Sequence, residues 1–426
     1  MTKKRAAGYA ALAAVVTLLV VVLALNFNGQ ETQIEQQIQT PFGLDNPQFL
    51  REMGVMMGPA IVDGNIVTAL NNGDEIFPAM LAAVRTAEHT ITFETYIYWS
   101  GTIGEEFAEA LAERARAGVR VHVLIDWAGG LKMDGELLDR IEDAGAEVHI
   151  YRPLKWYSLD RVNNRTHRKL LVIDGRTAFT GGVGIADVWE GDAQDPDHWR
   201  DIHFRVEGPV VAQFQAAFLD NWIQTTGAVL NGPTYFPKLD SIGTVAAHLF
   251  TSSSEGGSDS MRLMYMMALR SASRTVDLQA AYFVPDDLMI RAILQARARG
   301  VRVRILVPGP HIDSDLVRIS SKRVWGTLLR DGVEISVYQP TMLHNKMLIV
   351  DDRMVSVGST NFDVRSFELN DEASLNLYDA AFGAQMTAVF EADWADGEPY
   401  TLAMWEDRPW RERFAETVLI PIKSQL

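Results

Sequence analysis

The chain contains no cysteine, which excludes a disulfide framework and any thiolate-held metal while leaving the compartment open. Positive charge is also scarce. Thirty-nine Lys and Arg stand against 55 Asp and Glu, a formal net charge of -16. Nucleic-acid binding rests on cations that neutralise phosphates, so no nucleic-acid partner is expected. Nor does the sequence offer a His, Asp and Glu cluster suited to a metal, and neither a metal nor a cofactor is expected. What is present is a chain of 426 residues, 47% hydrophobic, long enough for two domains or one large duplicated one.

Lys3, Lys4 and Arg5 precede an uncharged run from Ala6 to Leu25. Twenty residues at about 1.5 Å each span about 30 Å, the thickness of a hydrocarbon core, so a single membrane helix is expected over residues 1–28. The alternative is a cleaved signal peptide ending near Val22-Leu23-Ala24, but the run exceeds the usual apolar length of such signals. No Lys or Arg follows until Arg51, which predicts a cytoplasmic N-terminus, with the body outside the cytoplasm on the cell (inner) membrane. Residues 29–52, with Gln30 to Gln39 followed by Pro41, Gly43 and Pro47, read as a linker.

The body reads as two halves, 53–245 and 246–426, because one pattern occurs twice. A strand-like run over Thr90 to Trp99 leads to a helix over Glu105 to Ala117, a capping Gly118 and a strand over Val119 to Ile125. In the second half the same order runs through Thr275 to Val284, Asp287 to Arg299, Gly300 and Val301 to Val307. Asp143-Ala144-Gly145-Ala146-Glu147-Val148 likewise returns as Arg330-Asp331-Gly332-Val333-Glu334-Ile335. Strands alternating with helices imply a mostly parallel sheet covered by helices in each copy.

Each half carries one further motif. His167, Lys169 and Asp174 are spaced as His, one residue, Lys, four apolar residues, Asp; His344, Lys346 and Asp351 repeat that spacing, with Gly181 and Gly358 seven residues beyond. On a strand, positions i and i+2 share a face about 6.5 Å apart, so each copy presents a base and a cation together. Asp174 and Asp351 follow buried-strand runs at turn positions, where an Asp also serves to cap its own backbone.

This duplicated motif resembles the phospholipase D superfamily, in which two such motifs form one active site. Arg165-Thr166-His167-Arg168-Lys169, Trp199-Arg200-Asp201-Ile202-His203, Gly208-Pro209, the Phe218 to Trp222 segment and the stretch Asn361 to Glu372 further resemble the bacterial cardiolipin synthases of that superfamily. One departure is visible: Gly184 stands in the first copy where the second has Asn361. The resemblance implies an α/β fold of two mostly parallel sheets flanked by helices and related by a pseudo-two-fold that brings His167 and His344 together.

The residue types support phosphodiester chemistry without metal. Lys169 and Lys346 neutralise the phosphodiester, and Ser359 and Asn361 are expected to donate to its non-bridging oxygens. One imidazole attacks phosphorus while the other moves the proton; the resemblance assigns His167 as nucleophile and His344 as acid and base, and it alone places Asp174 and Asp351 among the site residues. A carboxylate must hold each imidazole in one tautomer. Glu372 is the candidate for His344 and Asp201 for His167. The remaining histidines lack a matching Lys and read as structural, although His203 could approach the site. Three functions stay open: phosphatidyl transfer making cardiolipin from phosphatidylglycerol, with phosphatidylethanolamine as another donor; hydrolysis to phosphatidate; and lipid binding by a degenerate site.

Overall fold

A computed structural model describes residues 42–153, 164–253 and 260–419, together with 8–9, 12–18, 21, 34 and 38. Its frame is one continuous sheet of sixteen strands rather than the two expected. From the centre outward, the first half runs Val62–Asn71, Ile202–Glu207, Thr177–Gly181, Leu170–Ile173, Thr90–Thr95, Arg120–Asp126 and Glu147–Tyr151. The second half mirrors it with Val245–Ser252, Asn370–Tyr378, Met354–Gly358, Lys346–Val350, Thr275–Ala280, Arg302–Pro308 and Glu334–Tyr338, closed by Gly397–Tyr400. The two innermost strands, Val62–Asn71 and Val245–Ser252, pair antiparallel across a bulge and form the seam.

Most neighbours in this sheet are antiparallel, which corrects the mostly parallel expectation. Parallel pairing is confined mainly to the three strands of each half that are joined by helices. Parallel neighbours require a crossover, whereas a tight turn can only reverse the chain. Asp174-Gly175 and Asp351-Asp352 make such turns, and each motif strand therefore returns as a hairpin, Leu170–Ile173 with Thr177–Gly181 and Lys346–Val350 with Met354–Gly358.

The expected helix–glycine–strand units are present as Thr102–Arg116 before Arg120–Asp126 and Asp287–Ala298 before Arg302–Pro308. Gly118 and Gly300 both adopt a φ of 90° at the turn, a conformation that a side chain would strain. Helices pack on the sheet through separate apolar cores, with Phe77, Phe93 and Phe107 in the first half and Met261, Met264 and Met266 in the second. A third core takes Leu170, Phe204 and Phe214 from one half and Leu343, Leu375 and Phe390 from the other, so the halves share buried surface.

At the N-terminus the single membrane helix is not borne out: among the described residues no helix is long and apolar enough to cross a membrane. Much of residues 1–28 and most of 29–41 lie outside the described residues. The orientation drawn from that helix falls with it. The linker expected to reach residue 52 gives way at Pro47–Met56 to a helix that buries Phe49 and Met53 against the methionine-rich core. Asn46 caps it by accepting from the Gln48 amide, and Pro47 stands at its first turn, where no amide is needed.

Candidate active site

Each histidine is placed by the opposite half of the molecule. Arg165–Thr166 pairs in parallel with Asn370–Asp371, and the His167 amide donates to the Asp371 carbonyl at 2.8 Å. Across the pseudo-two-fold, Arg200 bridges Leu343, and the His344 amide donates to the Arg200 carbonyl at 2.8 Å. The next residue in each case is a carboxylate. His167 Nδ1 therefore meets Glu372 at 2.9 and 3.0 Å, and His344 Nδ1 meets Asp201 at 2.7 Å.

This crossing reverses the expected assignment of Glu372 to His344 and Asp201 to His167. Spacing along the chain counts residues within a copy, but the segment before each histidine pairs alongside a segment of the other half. An ionised carboxylate only accepts, so Nδ1 of each ring carries the proton and Nε2 keeps its lone pair.

The carboxylates are themselves held. Ser359 Oγ donates to Glu372 at 2.5 Å and Asn370 Nδ2 at 3.1 Å. The Trp189 indole donates to Asp201 at 3.0 Å and the Ile202 amide at 2.9 Å. Gly182 occupies the place of Ser359 in the first half, and a Cβ there would lie 2.2 Å from Asp201 Oδ1. Burial alone would raise both carboxyls. Instead His167 and Lys169 hold Glu372 below its ordinary value, and His344 and Lys346 do the same for Asp201.

Both lysines are buried beside their histidines, with Nζ donating to the His167 carbonyl at 2.8 Å and the His344 carbonyl at 2.6 Å. Lys346 Nζ also lies 2.9 Å from His344 Nε2. Burial pushes Lys169 down to about 7 and Lys346 to about 8. His167 falls to about 4 through burial, and His344 falls through burial and the Lys346 charge. Lys346 acts on both His167 and Lys169, while Asp201 acts on Lys169 and Glu372 on Lys346, so the two copies sit in one electrostatic field.

Three residues from the sequence set stand elsewhere or act otherwise. Asp174 accepts the amides of Glu88, His89 and Thr90 at 2.7–2.9 Å, and Asp351 those of Ser273, Arg274 and Thr275 at 2.7–2.8 Å plus the Ser273 hydroxyl. Each is five strand residues, or about 16 Å, from its lysine, at the far end of the sheet. They tie the motif hairpin to the start of the neighbouring strand. Ser359 gives its proton to Glu372 and is not available to a phosphate oxygen.

Asn361 is buried, with its acceptor Oδ1 lacking a hydrogen-bond partner among the described residues. At Gly184 a Cβ would lie 2.8 Å from the Ile97 Cβ, so the first half has an aliphatic wall where the second has an amide. His203 is buried behind Asp201, its Nδ1 also unpartnered among the described residues, and burial pushes it to about 3. Sequence reasoning missed the aromatic walls: Tyr96 sits edge-on to His167 at 5.1 Å, and Trp189 and Trp199 flank His344 at 5.4 and 5.3 Å. Trp199, two residues before Asp201, was the available signal.

A family model described as "Cardiolipin synthase, PLD-like domain" matches residues 80–196 and 265–394, which hold both His-Lys pairs. The chain belongs to this phospholipase D-like family. Among curated members, cardiolipin synthase of Geobacillus kaustophilus is 33% identical over 82% of this chain and 70% of its own length. The major cardiolipin synthase ClsA of Bacillus subtilis is 29% identical over 88% of this chain and 78% of its own. The phosphatidylserine synthase of Haemophilus influenzae shares the fold, with a TM-score of 0.69 at 14% identity, covering 89% of this chain and 98% of that one. As a cardiolipin synthase-like member of the phospholipase D superfamily, the protein is a phosphatidyltransferase.

Proposed function

We propose that this phosphatidyltransferase makes cardiolipin, taking the phosphatidyl group from phosphatidylglycerol or another phospholipid donor such as phosphatidylethanolamine. The observation that carries the reading is the crossed arrangement, two Nδ1-anchored imidazoles each with a buried lysine. In the first half-reaction His167 Nε2 attacks phosphorus, forming a P–N bond as the P–O bond to glycerol breaks. His344, carrying a second proton on Nε2 in the substrate complex, gives it to the leaving oxygen and is left neutral. In the second, a hydroxyl of another phosphatidylglycerol attacks phosphorus, His344 takes the proton, and the P–N bond breaks to return neutral His167. Lys169, Lys346 and Asn361 meet the non-bridging oxygens. A bound phosphate anion favours the charged form of both lysines, offsetting the burial that lowers them.

The reaction is tested with purified full-length protein and phosphatidylglycerol vesicles, products read by mass spectrometry. Cardiolipin and glycerol are expected as the main products, because an acceptor held beside the phosphohistidine reaches effective molarities on the order of 10⁵ M or more. Phosphatidate as the dominant product, unchanged on diluting phosphatidylglycerol into inert lipid, would identify a hydrolase instead. His167→Ala should abolish the trapped lipid–enzyme adduct, and an adduct surviving in that variant would move the nucleophile elsewhere.

A further inference from the structure

The C-terminal helix Trp410–Val418 is two-faced. Its two acids turn inward: Glu412 pairs with Lys322 at 3.3 Å and Glu416 with Arg408 at 2.8 Å. The outward face carries Trp410, Phe414 and Val418 at i, i+4 and i+8, exposed by 71%, 63% and 57%. Arg411 and Arg413 are exposed beside them. In a chain of net charge -16, this face combines an uncovered apolar stripe with Thr417 and two arginines, of which Arg413 also donates to the Glu406 carbonyl. Exposed stripes of this kind mark interaction surfaces, and an apolar face edged by Arg with Trp at its boundary is the composition of helices that lie in a lipid headgroup layer.

Its position points the same way. Glu406 stands opposite Arg330 at 3.7 Å, and Glu412 opposite Lys322, so the chain travels along the helix Asp315–Arg330 toward that helix's N-terminal end. That end lies at the site. Leu316 there is 48% exposed, and Asp313 just before it accepts from Tyr282 and lies within electrostatic reach of His344 and Lys346.

We infer that Trp410, Phe414, Val418 and Leu316, edged by Arg411 and Arg413, form a face that seats on an anionic phospholipid surface and presents the site to its lipid substrates. The inference rests on the phosphatidyl-transfer reading for its substrate, not for its contact. Trp and Phe enter the headgroup boundary while the two guanidiniums meet lipid phosphates.

The absence of native cysteine permits a local test on the full-length chain. An environment-sensitive fluorophore on Phe414→Cys should brighten several-fold with vesicles of phosphatidylglycerol and phosphatidylcholine, and brominated lipid should quench it. The same label on Asp331→Cys, at the opposite end of the supporting helix, should not respond. In parallel, Trp410→Ser with Phe414→Ser should lower turnover of vesicle phosphatidylglycerol about tenfold while turnover of monomeric short-chain phosphatidylglycerol stays unchanged. A label at position 414 that ignores vesicles, or a double variant with full vesicle turnover, would overturn the inference. A label response that follows protein concentration without lipid would assign the face to a second copy of the chain, and one present at every concentration would assign it to residues 420–426. Absence of turnover on both substrates by the unsubstituted enzyme would count against the transfer reading alone, because the fluorescence arm still decides the contact.

Discussion

At the scale of single residues, the decisive contacts are those of His167 with Glu372 and His344 with Asp201. Glu372→Gln and Asp201→Asn preserve shape but lose the charge that fixes the tautomer, and each should lower kcat by about 10²- to 10⁴-fold with folding intact. Double-mutant cycles separate crossed from uncrossed pairing. Coupling of about 1–3 kcal/mol is expected between positions 167 and 372 and between 344 and 201, with values near zero for 167 with 201. Strong 167–201 coupling would refute the crossing. The lysines supply a pH dependence: burial holds Lys169 at about 7 and Lys346 at about 8, so both are cationic below these values and neutral above them. Affinity for a dialkyl phosphate, a monoanion throughout this range, measured by calorimetry, should therefore fall as pH rises from about 6 to about 9. Affinity that rises over this range would show that the lysines do not hold the anion. The His-Lys pairs were legible from their repeated spacing, although the shared strand face expected for them is not what presents them: His167 and Lys169 precede the strand Leu170–Ile173, and His344 precedes Lys346–Val350. The partners of the histidines were not, since no local rule says that the segment before each histidine pairs with the other half.

Among elements, the motif hairpins show how one repeated spacing can serve two ends. Leu170–Ile173 and Lys346–Val350 carry a lysine toward the site at one end and an aspartate that gathers three amides at the other. Asp174 and Asp351 take φ values of 52° and 54°, in the left-handed region where Asp is tolerated. Asp351→Ala leaves three half-buried amides and a hydroxyl without their acceptor, and should lower unfolding stability by about 1–2 kcal/mol while the folded fraction keeps its kcat. Denaturant titration beside active-site counting checks this, and a large loss of kcat at full stability would return Asp351 to the chemistry. The helix–glycine–strand units could be read from sequence because apolar periodicity and a left-handed glycine mark both ends. Val62–Asn71 could not: its alternation is irregular, and its strand character comes from pairing with Ile202–Glu207 and Val245–Ser252.

For the whole molecule, continuity of the sheet and the third core make the halves one folding object. Residues 53–245 and 246–426 expressed separately should each be inactive, because each lacks the carboxylate for its own histidine. Activity on mixing should appear only with assembly of a 1:1 complex on a sizing column. Activity of either half alone would contradict the crossed geometry. Duplication was legible from the repeated phrases, but one sheet in place of two was not, because the seam is made by strands outside the repeated motifs.

The crossing also orders events in time. His167 leaves the ribosome some two hundred residues before Glu372, the group that holds its ring in the reactive tautomer. A nascent chain, or one broken before its second half is made, thus carries His167 without its carboxylate, and the site is whole only when synthesis and folding are complete.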